Sequence, residues 1–98
     1  MDIQSPNETE FTIYSKSGCP NCTNVKKLIK SHNFFFIEIN CDEYLLEDKE
    51  MFLKFIEIKA ETSYRTFPMV FYNNKFIGGL TQTTEFINNL LLSFEDKF

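Results

Sequence analysis

The order of predicted elements, β-α-β-α-β-β-α, defines an α/β fold: a four-stranded mixed β-sheet flanked by three helices lying on both of its faces. Three observations lead there. Strand, helix and strand follow one another within about 30 residues, a βαβ unit whose two strands lie parallel. Asn73-Asn74 stands between two short apolar runs, as the two-residue turn of a hairpin does. The chain then closes with an apolar pattern of helical period.

Each element has its own warrant. Glu10–Tyr14 alternates, with Phe11 and Ile13 on one side, and reads as the first strand. Ser15–Gly18 is a loop. Cys22–Ser31 is a helix carrying Val25, Leu28 and Ile29 on one face. Pro20 sits near the first helical position, where a missing N–H is no loss, and Asn33 is a stop. Phe34–Ile39 is nearly all apolar and rich in β-formers, which predicts a central buried strand with Phe34, Phe35 and Phe36 in the core. Asp42–Lys59 is a second helix with Leu45, Phe52, Phe55 and Ile56 in register, and its acidic start suits the helix dipole. Met69–Tyr72 and Lys75–Ile77 form the hairpin, and Gly78-Gly79 breaks it. A last helix, Gln82–Phe94, turns Phe86, Ile87, Leu90, Leu91 and Phe94 toward the sheet. Residues 1–9 are polar and read as a flexible extension, leaving residues 10–98 as one domain.

Composition removes several function classes. Twelve Phe in 98 residues fill a compact core without disulfide staples. A net charge of −4 argues against nucleic acid as the main partner, because phosphate binding needs a basic face. The apolar run Phe34–Ile37 falls far short of the ~18 residues of a membrane span. The first residues have neither a basic start nor an apolar stretch, so they do not read as a secretory signal. Three cysteines, an odd count, do not suit a secreted disulfide framework, and a cytoplasmic setting is expected. The acidic residues of Asp42–Glu50 read as a solvated helix face, and Cys41 as a small semi-buried residue away from the motif.

The chemistry concentrates in Ser17-Gly18-Cys19-Pro20-Asn21-Cys22. Cys19 falls at the start of a helix, where unpaired N–H groups and the dipole stabilise a thiolate and lower its pKa below ~8.5. Lys16 adds positive charge at the same mouth. The thiolate is the reactive form, so Cys19 is the candidate nucleophile and Cys22, one turn on, its resolving partner. In a regular helix, positions three apart hold their Cβ atoms ~5–6 Å apart, more than the ~4 Å a disulfide prefers. The pair can therefore close only if Cys19 is the capping residue, with its backbone not yet helical. A Cys-x-x-Cys pair also suits zinc. That reading needs Cys19, Cys22, His32 and Cys41 together, at spacings matching no common finger, so no metal is expected.

Two further segments bear on ligand binding. Arg65-Thr66-Phe67-Pro68 lies just before a strand, where proline is tolerated. A cis bond at Phe67-Pro68 would turn the Phe67 N–H and C=O outward for a peptide-like ligand; a trans proline opening a strand is the commoner arrangement. Gly78-Gly79-Leu80-Thr81-Gln82 lets the backbone approach a ligand, and its N–H groups at a helix start offer a carboxylate site.

Together, Tyr14-Ser15-Lys16 with Cys19-Pro20-Asn21-Cys22, then Arg65-Thr66-Phe67-Pro68, then Gly78-Gly79, resemble the active-site stretch, Thr-Val-Pro segment and glycine pair of the dithiol glutaredoxins. The resemblance implies a thioredoxin-like fold with residues 10–98 as the glutaredoxin-like domain. It also implies a glutathione-dependent thiol–disulfide oxidoreductase that reduces protein disulfides and glutathione mixed disulfides. Glutathione is then a co-substrate, with no cofactor tightly bound. Carried over by position, Lys16 neutralises a carboxylate or the thiolate, and Phe67 pairs backbone to backbone with the cysteinyl part. Pro68 shapes the groove, Leu80, Thr81 and Gln82 hold the γ-glutamyl end, Arg65 supplies another positive charge, and Thr66, Gly79 and Asn21 complete the set. Three positions depart from the pattern: Asn21 replaces the usual Tyr, Gln82 stands where Asp is frequent, and Phe67 is bulkier than Val.

The implied partners are glutathione and disulfide-containing or glutathionylated proteins, ribonucleotide reductase being one candidate, and the protein is expected to be a monomer. A thioredoxin-like reductase is the enzyme alternative; it would carry Trp and Gly-Pro in the motif, and this chain has no Trp. An iron–sulfur carrier, with a cluster held by two Cys19 thiolates and two glutathiones across a dimer, is the binding-protein alternative. Pro20 restricts the backbone and disfavours it.

Overall fold

The computed structural model describes residues 1–95, with side chains as far as Ser93. Seven elements follow in the expected order: β1 (Phe11–Ser15), α1 (Pro20–Ser31), β2 (Phe36–Asn40), α2 (Asp42–Ala60), β3 (Met69–Tyr72), β4 (Lys75–Gly78) and α3 (Leu80–Glu95). The sheet runs β2-β1-β3-β4. β1 lies parallel to β2, with Phe11 opposite Phe36, and antiparallel to β3, with Phe11 opposite Tyr72. Asn73 and Asn74 join β3 to β4 with φ of 52° and 63°, the left-handed pair that a tight hairpin demands and Asn tolerates.

Period-two alternation sends the strands' side chains into two cores. Phe11, Ile13 and Val70 meet Val25 and Ile29 of α1 and Ile87 of α3 on one face. Tyr14, Ile39, Met69 and Phe71 meet Phe52, Leu53 and Ile56 of α2 on the other. Two helices thus cover one face and one covers the other. β1 is buried throughout, and its C-terminal end opens directly into the Cys19 loop.

Three expectations are corrected. Phe34–Ile39 is not a central strand: β2 begins at Phe36 and forms an edge of the sheet, paired with β1 alone. The apolarity of that run serves the turn after α1. Asn33 is left-handed (φ 62°), the Phe34 N–H donates to Ile29 O at 3.2 Å, and the Phe34 ring packs 5.6 Å from that of Phe11. Phe35 is not core, because the turn faces it outward at 79% exposure. α2 is not one continuous helix. Asp48 departs to φ −160°, ψ 87°, and its carboxylate accepts the Met51 N–H at 3.1 Å, restarting the helix as an aspartate cap does. Boundaries also move: Ser15 joins β1, α1 starts at Pro20 and α3 at Leu80, while Phe94 lies outside the described side chains.

Residues 1–10 form no helix or strand, but several contacts tie them to the body. The buried Tyr14 hydroxyl donates to Gln4 O at 2.6 Å, the Asn7 N–H donates to Thr12 Oγ1 at 2.8 Å, and Ile3 packs against the α2-side core. No helix among the described residues is long and apolar enough to cross a membrane.

Candidate functional site

The site begins where β1 ends. Gly18 takes φ +70°, a left-handed conformation that favours glycine, and turns the chain into α1. Cys19 is the N-cap of that helix, with extended backbone (φ −114°, ψ 99°) and Pro20 in the first turn. Its sulfur stands where a capping oxygen normally stands and accepts the Cys22 N–H at 3.1 Å. Cys19 is half-buried, whereas Cys22 is 2% exposed. The two are disulfide-bonded, with Cα atoms 5.3 Å apart, as the non-helical cap allows.

Beside the motif lies a groove of about 410 Å³ lined by Lys16, Arg65, Thr66 and Phe67, together with Leu45, Lys49 and Leu53 of α2. The Lys16 ammonium sits 5.6 Å from the centroid of the Phe67 ring, a cation–π contact. Phe67 lies flat on Phe52, ring centroids 6.0 Å apart, which anchors the groove floor in the α2-side core. Arg65 pairs with Glu50 at 3.2 Å. The Phe67–Pro68 bond is cis, and Pro68 is buried. Among the described residues, neither the N–H nor the C=O of Phe67 has a hydrogen-bond partner.

The third segment forms the start of α3. Gly78 takes φ +133°, and a Cβ there would lie 2.9 Å from the Gln82 side chain. The Gly79 N–H donates to Gln82 Oε1 at 3.0 Å, so Gln82 caps its own helix, and the Thr83 N–H donates to Gly79 O. Thr83 is fully buried, and its hydroxyl has no partner among the described residues.

Of the residues expected at the site, Lys16, Arg65, Thr66 and Phe67 share the groove. Asn21, exposed in the first turn of α1, Pro68, Gly79, Leu80, Thr81 and Gln82 do not line it, and neither do Cys19 and Cys22. A larger hollow of about 630 Å³ between β4 and α3 has Gln82 in common with the expected site.

Sequence reasoning missed Lys49, because the acidic stretch around it reads as solvated surface. It also missed Asp42, which accepts the Ser17 N–H at 2.9 Å and the Ser17 hydroxyl with its second oxygen. Those bonds, foremost the hydroxyl's, hold the Asp42 carboxyl below its ordinary value. The cap pattern Asn40-x-Asp42 was a readable signal, but its partner across the fold was not. Cys41 is fully rather than partly buried, and its N–H donates to Ser15 O at 2.8 Å, next to the motif loop. Burial pushes its thiol up to about 12. Among the described residues, no three or more His, Cys, Asp or Glu side chains gather as a metal site would require.

Comparison with known proteins places this geometry. Residues 11–77 match the family model described as Glutaredoxin. Glutaredoxin 1 of Rickettsia typhi is 33% identical over 67 residues, covering 68% of this chain and 60% of that protein. The chain thus spans about three fifths of the length of the first such relatives. A glutaredoxin-like protein NrdH of Lactococcus lactis subsp. cremoris is 36% identical over 59 residues, covering 60% of this chain and 71% of its own length. The structure of a buckwheat glutaredoxin–glutathione complex superimposes with a TM-score of 0.69 at 28% identity, covering 85% of this chain and 72% of that one.

Proposed function

The chain belongs to the glutaredoxin family, and on that premise we propose that it is a glutathione-dependent thiol–disulfide oxidoreductase with Cys19 as nucleophile and Cys22 as resolving thiol. The observation that carries this reading is the Cys19 sulfur at the cap of α1, half-buried and receiving the Cys22 N–H at 3.1 Å. In the reduced protein that N–H and the helix dipole favour the thiolate. With a glutathione mixed disulfide, the Cys19 thiolate attacks the glutathione sulfur. The substrate leaves as a thiolate and takes a proton, and Cys19 carries the glutathionyl group. A glutathione thiolate then attacks that adduct, releasing oxidised glutathione and restoring Cys19. With a protein disulfide, Cys19 forms a mixed disulfide with one substrate sulfur. Cys22 attacks Cys19, the substrate thiol departs, and two glutathiones reduce the resulting Cys19–Cys22 bond.

The groove of Lys16, Arg65, Thr66 and Phe67 supplies what an extended peptide-like co-substrate needs: positive charge, an apolar floor and a free backbone edge at Phe67. Glutathione seen on the buckwheat relative supports the choice of ligand. In this reading Pro68 shapes the groove, Asn21 borders its mouth, and Gly79, Leu80, Thr81 and Gln82 hold the γ-glutamyl end. The protein acts as a cytoplasmic monomer on disulfide-containing or glutathionylated proteins, ribonucleotide reductase among the candidates, without a tightly bound cofactor.

The test is turnover of a glutathionylated peptide coupled to NADPH, glutathione and glutathione reductase. Cys22→Ser keeps this activity and loses dithiol reduction of protein disulfides. Full activity in Cys19→Ser overturns the assignment of roles. A requirement for thioredoxin reductase in place of glutathione overturns the co-substrate.

A further inference from the structure

Lys16–Gly18 carries the chain from the end of β1 to Cys19. Among the described residues, the hydrogen bonds of this turn go to a single side chain. Asp42 takes the Ser17 N–H on Oδ1 at 2.9 Å and the Ser17 hydroxyl on Oδ2. Asp42 is itself fixed: it is the first residue of α2, and its N–H donates to Asn40 Oδ1 at 2.9 Å. One residue earlier, the Cys41 N–H donates to Ser15 O at 2.8 Å. The β2–α2 junction therefore grips the motif loop at two points, Ser15 and Ser17. Beyond the second point Gly18 offers no side chain to hold the turn, and Cys19 follows.

The geometry points to Asp42 as a positioning residue, which holds the Ser17 turn and so keeps the Cys19 sulfur against the N–H groups that open α1. This inference rests on the reading of Cys19 as the attacking sulfur. It goes beyond that reading by giving a role to an acidic residue that touches neither sulfur nor the groove.

Two physical effects of Asp42 have opposite signs, which makes the inference testable. As a bare negative charge near the mouth of the site, Asp42 disfavours the Cys19 thiolate, and removing it would lower the Cys19 pKa. As an anchor, it keeps the sulfur where an N–H and the helix dipole stabilise the thiolate, and removing it raises that pKa. A merely structural contribution elsewhere in the fold moves neither.

The experiment measures iodoacetamide alkylation against pH in the Cys22→Ser protein. Cys19 is then the reactive thiol, since Cys41 is fully buried. Asp42→Ala is expected to raise the Cys19 pKa and slow alkylation at neutral pH by about threefold to tenfold, the equivalent of about half to one pKa unit. Ser17→Ala, an exposed position that removes one of the two bonds, is expected to shift it the same way by less. Adding Ser17→Ala to Asp42→Ala is expected to change nothing more. Should Asp42→Ala not fold, Ser17→Ala carries the test, because it loosens the turn and keeps the charge; Asp42→Asn, which loses the charge and keeps one acceptor for Ser17, is expected to have a lower Cys19 pKa than Asp42→Ala. A pKa that falls or stays put in both Asp42→Ala and Ser17→Ala overturns the positioning role alone. A parent Cys19 that titrates like free cysteine overturns the reading of Cys19 as an activated thiol, and the inference with it.

Discussion

Cys19 and Cys41 both stand at the N-cap of a helix, and they are chemically unlike. Cys19 has extended backbone, and its sulfur accepts a helix N–H. Cys41 sits at φ −103°, ψ 6°, with no capping bond from its side chain; its sulfur lies 3.5 Å from Ile39 O, and Asn40 supplies the cap for Asp42. The surroundings differ as much. Cys19 follows an exposed polar turn, whereas Cys41 follows β2 into the cluster of Tyr14, Ile39 and Phe52. A helix N-terminus alone therefore does not activate a thiol. The side chain must point along the N–H groups, and the ionised form must keep contact with water.

The sharpest way to break this comparison is to remove each sulfur in turn. Cys19→Ser is expected to reduce mixed-disulfide turnover on the order of a thousandfold or more, to background, because a hydroxyl at neutral pH is a far weaker nucleophile. Cys41→Ala is expected to leave turnover unchanged and to lower unfolding stability by about 1 kcal/mol, the loss of a small buried group. The coupled assay and urea unfolding read the two effects separately. Loss of turnover in Cys41→Ala would erase the contrast.

That contrast was only partly legible in the sequence. The motif cysteines announce themselves through Pro20 and the strand before them, since helix starts follow local rules. The element order was legible for the same reason. What escaped depends on the partner across the fold. Phe34–Ile37 is as apolar as a central strand, yet β1 pairs with β3 on its other side, which leaves β2 at the edge, and Phe35 stays outside in the turn before it. Asp48 restarts α2 because its side chain competes for a backbone N–H, an option every aspartate carries and few exercise. The pairing of Asp42 with Ser17, 25 residues apart, leaves no local pattern at all.

A smaller effect sharpens the comparison in alkali. In the oxidised protein Cys41 is the free thiol, and burial raises it from 9.0 to about 12. The unfolded chain gives up that proton from pH 9 upward while the folded chain keeps it. The unfolded state then binds fewer protons, and stability falls as pH rises across that window, at up to about 1.4 kcal/mol per pH unit. Urea unfolding between pH 8 and pH 10 is expected to show a steeper fall in the parent than in Cys41→Ala. Tyr14, also raised by burial, acts in the same direction from its ordinary 10.0 upward and persists in the variant. Equal slopes in the two proteins would mean that Cys41 reaches water.

The smallest effect lies in acid, at the other sulfur's end of the molecule. Glu38 of β2 accepts from Lys26 of α1 at 2.8 Å and from the Ser15 hydroxyl of β1 at 2.8 Å, tying together the two elements that flank Cys19. The Lys26 bond, foremost, holds the Glu38 carboxyl below its ordinary 4.5. A lowered folded pKa means that the unfolded chain takes up the proton first. The stability from this tie is therefore complete above pH 4.5 and is lost as pH falls through the folded value. Both side chains are about one third exposed, at 30% and 36%, so solvent screens the pair, and its contribution is some tenths to about 1 kcal/mol. Glu38→Gln is expected to be less stable than the parent by that amount at pH 6 and equal to it near pH 3, with the gap at pH 6 narrowing in high salt. Asp42, lowered in the same direction from 3.8, is present in both proteins and cancels from the difference. A gap that persists unchanged at pH 3 would show that Glu38 acts through packing. The tie between β1 and α1 beside Cys19 would then be held by shape, as the Cys41 end is.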